Sequence, residues 1–495
     1  MTQYDIVVYG ATMPGVAAIR TATSVDQSLS ILLVNPRQAW GGISCGGGQN
    51  FWDCRLWQHD GQQCLVQGGS FRNWYDSVGQ AYDTEEMAQL LREEAKPARI
   101  REGWDLTGVT RTGGAIDSIE LAPIERPLDD PPRFGDRRHR VAGDVFIDAS
   151  ESGRLTRLAA VPHTTGRQDW ADDDRQMATT LMFRVGDLDW QEIQDGKRDG
   201  QSIFDTRRDP NTGKRLFWGG GPVVASDQNV AAFEQRYPRF RIKPMNAAEH
   251  RDGEFWINAL LFYDVDGTRA GYDEPARASG DDRNPWDRWT ARQRAKSTIA
   301  TDEFKRAIQS FPGFEDAALP SDGNEDERVA DLLYLRETIH AGNAPRALSR
   351  TDVEEAGAGP KAGADSAHYE RRIGLGYYWL DNNGYTRDEA GPELSDAPNP
   401  VYLPYEVLTA PDVENLLLPG YAASISGEAW FEVRVLPNLC VLGDAAGAAA
   451  AVATNRHNSP AQRSLVSDVQ RELRDNDAIL DKTDTTVVRE GQADD

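Results

Sequence analysis

Cysteine is scarce in this chain, which contains only Cys45, Cys54, Cys64 and Cys440 among its 495 residues. Four cysteines in a chain of this length do not make a disulfide scaffold. They also lack the Cys-x-x-Cys spacing of a zinc site or of a thioredoxin-type redox pair. The sequence therefore predicts no disulfide framework and no metal site.

Lysine is also scarce, and acidic residues outnumber basic ones. Only eight of the 54 basic residues are lysine, and 79 acidic residues give the chain a formal net charge of −25. The acidic residues are dispersed, which is typical of a solvated surface in a salt-adapted protein, because high salt screens the self-repulsion of such a charge. Nucleic acid is not an expected partner, since neutralising its phosphates requires a basic surface.

Long apolar runs and internal repeats are missing from the sequence. The apolar stretch from Ala445 to Ala453 is much shorter than a membrane span and is followed by Arg456 and His457. The first residues lead directly into a predicted strand, which leaves no room for a signal peptide. We therefore expect a soluble, cytoplasmic protein that does not bind membranes.

At the N-terminus an apolar strand runs into a glycine turn and then into a helical stretch. The strand from Ile6 to Tyr9 is followed by Gly10-x-Thr12-x-Pro14-Gly15. Strand, tight turn and helix in this order place the pyrophosphate of a dinucleotide at a helix N-terminus. Gly10 permits the turn and Gly15 permits close packing of helix on strand, whereas Thr12 replaces the usual middle glycine and offers a hydroxyl to a phosphate.

The second predicted strand, Leu29 to Val34, ends in Asn35-Pro36-Arg37. A dinucleotide-binding domain contacts the adenosine ribose at this position, normally through an acidic residue. Asn35 can still bind a ribose hydroxyl, though more weakly than a carboxylate. Arg37 fits either the phosphorylated ribose of NADP or a solvated surface position, and we favour the surface position.

A glycine-rich loop with five glycines in eight residues follows this strand. The run Gly41-Gly42-Ile43-Ser44 would let the backbone approach a large flat ligand closely. Cys45, the next residue, is a candidate redox thiol, although a cysteine in such a place more often packs as a small side chain.

With these motifs the chain resembles the FAD-dependent oxidoreductases that have a glutathione-reductase type of Rossmann domain, a group distantly related to fumarate reductase flavoproteins. The resemblance continues in the strand that ends in Asp148-Ala149, in the segments 374–381, 402–408 and 413–420, and in the segment 434–450, which contains Gly443, Asp444 and Gly447. It implies an α/β fold, in which a Rossmann-like FAD-binding domain with a parallel sheet carries an inserted mixed α+β substrate domain. Residues 195–330 resemble the family poorly.

The resemblance also implies how the C-terminal segment meets the cofactor. Val441-Leu442 would end a strand, Gly443 would turn the chain, and a helix would run from Ala445 to Val452. The positive N-terminus of that helix would face the pyrimidine edge of the flavin. Asp444 would bind the ribityl chain or cap the helix, and Gly447 would lie near the cofactor in the same helix.

Several positions depart from the family pattern. Asn35 stands in place of the ribose acid, Ser152 and Arg154 alter the segment after the Asp148 strand, and Asn383 stands where a histidine is usual. These departures concern the active site rather than the identity of the cofactor.

Length and resemblance together predict two interleaved domains. The predicted units are a FAD-binding domain in 1–155 and 425–475, a substrate domain in 156–424, and an acidic tail in 476–495. A long exposed loop is predicted for 269–294, because this segment is polar and charged with scattered glycine and proline.

The catalytic acid or base is expected in the substrate domain facing the flavin, because the flavin carries out the hydride chemistry. Arg336 and His340 would share one face of a predicted helix, where the arginine could bind a carboxylate and the histidine could move a proton. Tyr377 and Asp381 would share one face of a predicted strand. A surface ion pair and plain core packing are the alternative roles of these residues. Further candidates are His163, Arg167, Glu428 and Arg434.

The sequence therefore predicts an FAD-dependent oxidoreductase that transfers a hydride between a small organic substrate and flavin, with reoxidation by an unidentified acceptor. One alternative is an NAD(P)-dependent dehydrogenase, which would not need the loop at Gly41 or the Gly443-Asp444 segment. The other is a non-catalytic flavin-binding subunit, which the altered active-site positions leave open.

Overall fold

The computed structural model of this chain describes residues 1–127, 130–198, 200–251, 253–273, 284–320, 328–342, 346–389 and 393–488. In chain order the first strands are β1 (Thr2–Tyr9), β2 (Ile31–Asn35), β3 (Trp57–His59), β4 (Gln62–Leu65), β5 (Arg99–Glu102), β6 (Trp104–Thr112), β7 (Ala115–Glu125), β8 (Arg133–Phe134), β9 (His139–Asp148), β10 (His163–Thr165), β11 (Thr179–Thr180), β12 (Phe183–Val185), β13 (Lys197–Arg198) and β14 (Gln201–Ser202). The later strands are β15 (Phe204–Arg208), β16 (Arg215–Gly219), β17 (Phe240–Glu249), β18 (Phe255–Phe262), β19 (Val265–Asp266), β20 (Trp286–Asp287), β21 (Ile339–Ala341), β22 (Arg372–Gly376), β23 (Leu380–Asn382), β24 (Glu393–Ser395), β25 (Val401–Pro404), β26 (Thr409–Ala410), β27 (Val413–Leu417) and β28 (Thr486–Val487).

The α-helices are α1 (Met13–Val25), α2 (Gly69–Val78), α3 (Thr84–Glu94), α4 (Arg154–Leu158), α5 (Trp190–Asp195), α6 (Gly221–Ser226), α7 (Gln228–Arg236), α8 (Arg288–Ile299), α9 (Asp302–Ile308), α10 (Arg350–Glu354), α11 (Gly427–Val433), α12 (Leu436–Arg456) and α13 (Val466–Asp475). Short 3-10 helices cover Gly166–Asp169, Ala364–Ala367, Tyr369–Arg371, Tyr405–Leu408, Arg463–Leu465 and Lys482–Asp484.

A mixed sheet with a parallel core organises the cofactor domain. Its strand order is β5-β2-β1-β9-β27-β26, and the pairs from β5 through β27 are parallel. β1 takes the middle position because the run from Ile6 to Tyr9 is apolar on both faces and buried. The strands β6 and β7 form an antiparallel extension that returns to β9. This topology confirms the predicted Rossmann-like domain.

A second, antiparallel sheet of β11, β12 and β15 to β18 lies in the inserted region. All residues of β18 are buried. The pairing of β17 with β18 shifts register between Ile242 and Asn246, so the segment Lys243 to Met245 leaves the ladder as a bulge. Bulges of this kind turn a side chain away from its usual direction and are frequent next to functional sites.

The helix α12 begins earlier than predicted and runs without a break from Leu436 to Arg456. The predicted strand at Val441-Leu442 and the predicted turn at Gly443 are therefore wrong. Pro437 lies in the first turn, where proline is well tolerated, and the alanine-rich stretch that follows favours helix. Helix formation thus extends back through residues that read as a strand in isolation.

The helices α1 and α12 pack against each other at very short range. A Cβ atom on Gly443 would lie 2.4 Å from the carbonyl oxygen of Pro14, and one on Gly447 would lie 2.2 Å from that of Ala18. Only glycine allows this approach, so both glycines fix the distance between the two helices.

α12 is also long and apolar enough to span a membrane, unlike the shorter stretch predicted from the sequence. Its apolar window is completely buried inside the protein, against α1, α2 and α13. Such burial is that of the core helix of a soluble protein.

Two predicted boundaries differ from the structure. β26 and β27 already belong to the central sheet, so the chain returns to the cofactor domain before residue 425. In the predicted loop 269–294, α8 begins at Arg288, and residues 274–283 lie outside the described residues.

The predicted acidic tail is packed onto the fold as far as residue 488. β28 pairs with β4, and Lys482, which is 1% exposed, lies 2.5 Å from the fully buried carboxylate of Asp365. Asp481 accepts a hydrogen bond from Tyr369 at 2.8 Å. Buried polar partners therefore hold the segment 476–488 in place, and residues 489–495 lie outside the described residues.

We predict that Lys482→Met lowers the free energy of unfolding by about 3–5 kcal/mol, because it leaves the buried Asp365 carboxylate without its cation. Urea denaturation in high salt measures the change. Lys361→Met is the matched control, since Lys361 pairs with Glu370 at the surface and its loss should change stability little. Equal effects of the two substitutions would contradict the structural role of the buried pair.

Candidate cofactor and substrate site

The carboxyl ends of three parallel strands meet at one edge of the central sheet, where Tyr9, Asn35 and Asp148 end β1, β2 and β9. The loops that leave these ends are the ones predicted to bind a dinucleotide. They enclose a cavity of about 50 Å³, which is lined by residues from all three loops.

The glycine turn after β1 has the geometry that the sequence predicts. Gly10 has a φ angle of +109°, and its N–H donates to the Val34 carbonyl at 2.9 Å. A Cβ atom on Gly15 would lie 2.1 Å from the Gly10 carbonyl oxygen. Both positions therefore require glycine, while Pro14 sits in the first helical turn, where its missing N–H costs no hydrogen bond.

Thr12 caps α1 and ties it to β9. Its Oγ1 accepts from the Gly15 N–H at 3.3 Å and donates to the Ala149 carbonyl at 2.7 Å. Because the hydroxyl proton already has an acceptor in the protein, Thr12 holds the turn in place rather than offering that proton to a phosphate.

The segment Asn35-Pro36-Arg37 lines the 50 Å³ cavity. Asn35 is buried, and its Oδ1 accepts from the Arg37 N–H at 3.3 Å. Burial lowers the pKa of Arg37 to about 10, and the charge of Arg288 acts in the same direction. Arg37 is half-buried and lines the cavity at the predicted ribose position, so its side chain is only partly solvated.

The glycine-rich loop is anchored to the turn after β1. The Gly41 N–H donates to the Ala11 carbonyl at 2.7 Å, and Ser44 Oγ donates to the Gly41 carbonyl at 2.8 Å. Cys45 is buried beside Ser44, and burial raises the pKa of its thiol to about 12. A thiol that stays protonated at neutral pH does not fit the redox role considered for Cys45.

Glu151 is a residue of this edge that sequence reasoning missed. Its Oε1 accepts from the Ile43 N–H at 2.7 Å, and a Cβ atom on Gly42 would lie 2.3 Å from the same oxygen. Burial raises the pKa of Glu151. The side chain lines both cavities of the edge and joins the glycine-rich loop to the end of β9.

Asp148 acts within the protein rather than at the cavity surface. Its two oxygens accept from the N–H and hydroxyl groups of Ser150 and Thr156 at 2.6–3.1 Å. Burial nevertheless raises its pKa. Asp148 thus shapes the loop after β9, and this loop brings Ala149 to the cavity lining.

Gly443, Asp444 and Gly447 lie inside α12, and the described cavities of this edge do not include them. Asp444 Oδ1 accepts from Thr21 Oγ1 at 2.7 Å and from Ser70 Oγ at 2.5 Å, while Oδ2 accepts from the Ser70 N–H at 2.8 Å. The three residues clamp α12 onto α1 and α2. Their predicted contact with the cofactor is corrected accordingly, because the helix starts well before them.

Two helix N-termini meet at the other cavity of this edge, of about 10 Å³. Met13 and Pro14 of α1 line it together with Leu436 and Leu439 of α12, whose N-terminus carries no side-chain cap. The N–H groups and dipole of a helix N-terminus favour negative charge. A ligand with a pyrophosphate and an electron-accepting ring suits these donors, and the helix N-terminus lies at Leu436 rather than at the predicted position after Gly443.

A larger cavity, of about 570 Å³, lies beyond the glycine-rich loop against the antiparallel sheet. Its lining consists of Phe51, Trp52, Asp53, Cys54, Gln80, Arg207, Leu216, Phe217, Trp218, Gly219, Lys243, Pro244, Met245, Asn246, Ala247, Tyr378, Trp379, Asp381, Asn383 and Leu394. Its size is that of a small-molecule site, and its wall is mostly apolar with a few polar groups.

Asp53 and Lys243 are two ionisable residues that line this cavity, and sequence reasoning missed both. Asp53 Oδ2 accepts from Gln49 Nε2 at 3.0 Å, and the Gln49 N–H donates to the Ile43 carbonyl at 3.0 Å. Lys243 lies in the bulge of β17, and its Nζ donates to the Pro244 carbonyl at 3.0 Å. A single lysine in an apolar strand of a lysine-poor chain is the one sequence signal that could have identified Lys243.

Burial and neighbouring charges bring the pKa values of both groups close to neutral pH. Burial raises the pKa of Asp53 to about 6, although Arg434 acts against this change. Burial also lowers the pKa of Lys243 to about 7, with a further contribution from Arg336 and an opposite one from Asp381. Groups with strongly shifted pKa values that line one cavity are typical of a functional site.

Asp381, predicted as catalytic, does line this cavity. It forms an ion pair with Arg434 and accepts from Asn383 Nδ2 at 2.9 Å. Burial opposes the charge on Arg434, but Asp381 raises its pKa above the ordinary value. Because Arg434 lies just before α12, the pair joins the substrate cavity to the helix N-terminus of the cofactor edge.

Arg336 and His340 do not share a helical face, because the segment that begins at Ile339 is the strand β21. Arg336 is buried behind the cavity and donates to the Ala178 carbonyl at 2.9 Å. The Nε2 atom of His340 lies 3.0 Å from Glu337 Oε1, and both side chains are fully buried. Neither residue lines the 570 Å³ cavity.

Tyr377 and Asp381 do not share a strand face either. β22 ends at Gly376 and β23 begins at Leu380, so the chain between them is not a strand. Tyr377 packs instead under the Arg55 guanidinium, at 4.5 Å from the ring centroid, and does not line the cavity.

The remaining candidates have partners elsewhere: Arg167 pairs with Asp173 and Glu389, Glu428 pairs with Arg350, and His163 Nδ1 lies 2.8 Å from the Val161 carbonyl.

Asp83, Glu85 and His250 lie close enough together to hold a metal ion. None of them lines the three cavities described above. Arg251 donates to Asp83 Oδ1 at 2.9 Å and also pairs with Glu85. Because this guanidinium already occupies oxygens of both carboxylates, we assign no metal to the group.

We predict that Gly15→Ala yields a folded protein without its dinucleotide, because the added methyl group collides with the Gly10 carbonyl and moves α1 away from the turn. The flavin absorbance of the purified variant measures retention, and circular dichroism confirms folding. Gly108→Ala is the matched control, since a Cβ atom there meets nothing within 4 Å. Full flavin occupancy in Gly15→Ala would contradict the proposed binding edge.

Comparison with known proteins identifies the family. Residues 5–473 match the profile of the family described as FAD-dependent oxidoreductase, and no curated protein sequence gives a significant match. A geranylgeranyl bacteriochlorophyll reductase-like protein from Thermoplasma acidophilum is similar at 11% identity and a TM-score of 0.40, over 96% of this chain and 84% of that chain. A flavoprotein/dehydrogenase from Cytophaga hutchinsonii is similar at 10% identity and a TM-score of 0.37, over 95% and 83%.

Structural similarity at these TM-scores carries no weight in the assignment, which rests on the family match. That match covers both arms of the cofactor domain and the whole inserted region, and it agrees with the glycine turn, the parallel sheet and the two converging helix N-termini. The chain belongs to the family of FAD-dependent oxidoreductases, and its cofactor is FAD.

Proposed function

We propose that this oxidoreductase transfers a hydride between a small organic substrate and flavin, and that the substrate binds in the 570 Å³ cavity. The observation that supports this most is the presence of Asp53 and Lys243, with pKa values of about 6 and about 7, inside one cavity. Gln49 and Arg434 connect that cavity to the edge where the cofactor binds.

In this proposal the N-terminus of α1 binds the pyrophosphate of FAD, and Asn35 and Arg37 contact the adenosine. The loop Gly41-Gly42-Ile43-Ser44 and the N-terminus of α12 lie against the flavin. When bound, FAD supplies the hydride-accepting chemistry, while the protein supplies binding, orientation and proton transfer.

Asp53 takes the proton in this proposal. With a pKa of about 6 the carboxylate is mostly ionised at neutral pH, so its oxygen can accept the proton of a substrate hydroxyl or amine as the hydride leaves the adjacent carbon. The substrate thereby loses two electrons and two hydrogens, one as hydride and one as the proton on Asp53. Gln49 holds the carboxylate in position through its hydrogen bond to Oδ2.

The same proposal includes an electron acceptor that reoxidises the flavin and a cytoplasmic, salt-adapted setting. The net charge of −25 supports the salt adaptation. The complete burial of the apolar window of α12 supports a soluble protein.

We predict that Asp53→Asn retains FAD but reduces it about 10²–10⁴-fold more slowly, because the amide cannot accept a proton. Stopped-flow absorbance under anaerobic conditions measures the rate with a donor found by screening for flavin bleaching. Asp396→Asn is the control, since Asp396 is an exposed carboxylate that lines no part of the cavity. An unchanged rate in Asp53→Asn would exclude it as the proton acceptor.

We also predict that the reduction rate falls as the pH drops through about 6, because protonated Asp53 no longer acts as a base. The charged groups that act on Asp53 are Arg434, Asp381, Lys243 and Arg336. Lys243→Met should keep this acid limb, with a shifted midpoint, whereas Asp53→Asn should lose it. A rate that stays level across the limb would contradict the assignment.

A further inference from the structure

Cations outnumber carboxylates in and around the substrate cavity, because Lys243 and Arg207 line it and Arg336 and Arg434 lie close to it, against Asp53 and Asp381. Lys243 and Arg336 are both buried, and within the described residues no carboxylate oxygen lies within 4.0 Å of either cation. The two carboxylates nearby are Asp53 and Asp381, and the latter already pairs with Arg434. Buried charges are normally paired, so this arrangement lacks an anion.

The position of Lys243 suggests where that anion belongs. The bulge of β17 turns Lys243 out of the strand ladder and into the cavity lining. One of its three N–H donors goes to the Pro244 carbonyl. The other two suit the oxygens of a carboxylate, and such charge-assisted hydrogen bonds are about twice as strong as neutral ones.

Aromatic residues form a large part of the wall. Phe51, Trp52, Phe217, Tyr378 and Trp379 all line the cavity. Rings of this kind pack well against a flat apolar body.

The mouth of the cavity is apolar and cationic. Trp218 and Leu394, which are 39% and 58% exposed, are two of the few large apolar side chains at the protein surface, and both line this cavity. Arg207 also lines the cavity and stacks on Trp218, with its Cζ atom 5.6 Å from the ring centroid. An entrance of this kind admits an apolar body and attracts a negative charge.

We propose that the substrate is an aromatic carboxylate, whose carboxylate group binds Lys243 and whose ring lies between the aromatic walls of the cavity. This inference rests on the proposed function, since it names the substrate class of the same cavity. It explains why a lysine is retained at a buried position in a chain with only eight lysines.

Binding of matched probes to the FAD-loaded protein tests the proposal without turnover. Benzoate is compared with benzamide, and 2-naphthoate with 2-naphthamide, because each pair differs in charge but hardly in shape. The flavin difference spectrum reports the dissociation constants. We expect at least one acid to bind about tenfold more tightly than its amide, the size of effect typical of a charge-assisted hydrogen bond.

Lys243→Met should remove this preference while leaving amide binding nearly unchanged, whereas the surface substitution Lys361→Met should keep the preference. Amides that bind wild-type protein as tightly as the acids, acids of both sizes that leave the flavin spectrum unchanged, or a preference that survives in Lys243→Met would overturn the proposal. Flavin reduction by a neutral donor only would overturn it too, yet would leave the proposed hydride transfer intact. If an acid binds tightly to the FAD-loaded protein but no donor reduces the bound flavin, that result would contradict the proposed function alone.

Discussion

The contact between α1 and α12 is the constraint on which the rest of the structure depends. Gly443 and Gly447 let the two helices approach until a Cβ atom would collide with the α1 backbone, and Asp444 locks the arrangement through Thr21 and Ser70. Because the helices are held this closely, their N-termini open onto one cavity at the edge of the central sheet. Gly443 and Gly447 therefore determine where the two helix ends lie, although neither residue lines this cavity.

The cofactor edge and the substrate cavity are coupled by two short connections. On one side Gln49 links the glycine-rich loop to Asp53, and on the other Arg434, next to the start of α12, links to Asp381. Charges placed at the flavin end therefore act directly on the groups that face the substrate. Burial is the main cause of the shifted pKa values of Asp53 and Lys243, whereas Arg434 opposes the rise for Asp53 and Asp381 opposes the fall for Lys243.

The sequence predicts those parts of the site that depend on local chain geometry. The turn from Gly10 to Gly15 is predictable from sequence, because it depends on the backbone angles of glycine and on the close approach of the helix to the strand. The start of α12 was not, because an apolar segment around Val441 is compatible with strand or helix until tertiary packing decides. Asp53 and Lys243 come from distant segments, and the burial and bulge that give them their character exist only in the folded chain. Asp381 lines the cavity as predicted, but the strand alternation on which the prediction partly relied does not occur.

The identity of the bound chromophore tests the central claim most directly. The protein would be purified in high salt, its absorption spectrum recorded, and the chromophore released by heat and identified. The account predicts a flavin spectrum, release of FAD, and bleaching of the bound flavin by an organic donor under anaerobic conditions. A colourless protein that also fails to take up added FAD would contradict it, because the converging helix ends and the glycine-rich loop would then have no ligand to explain them.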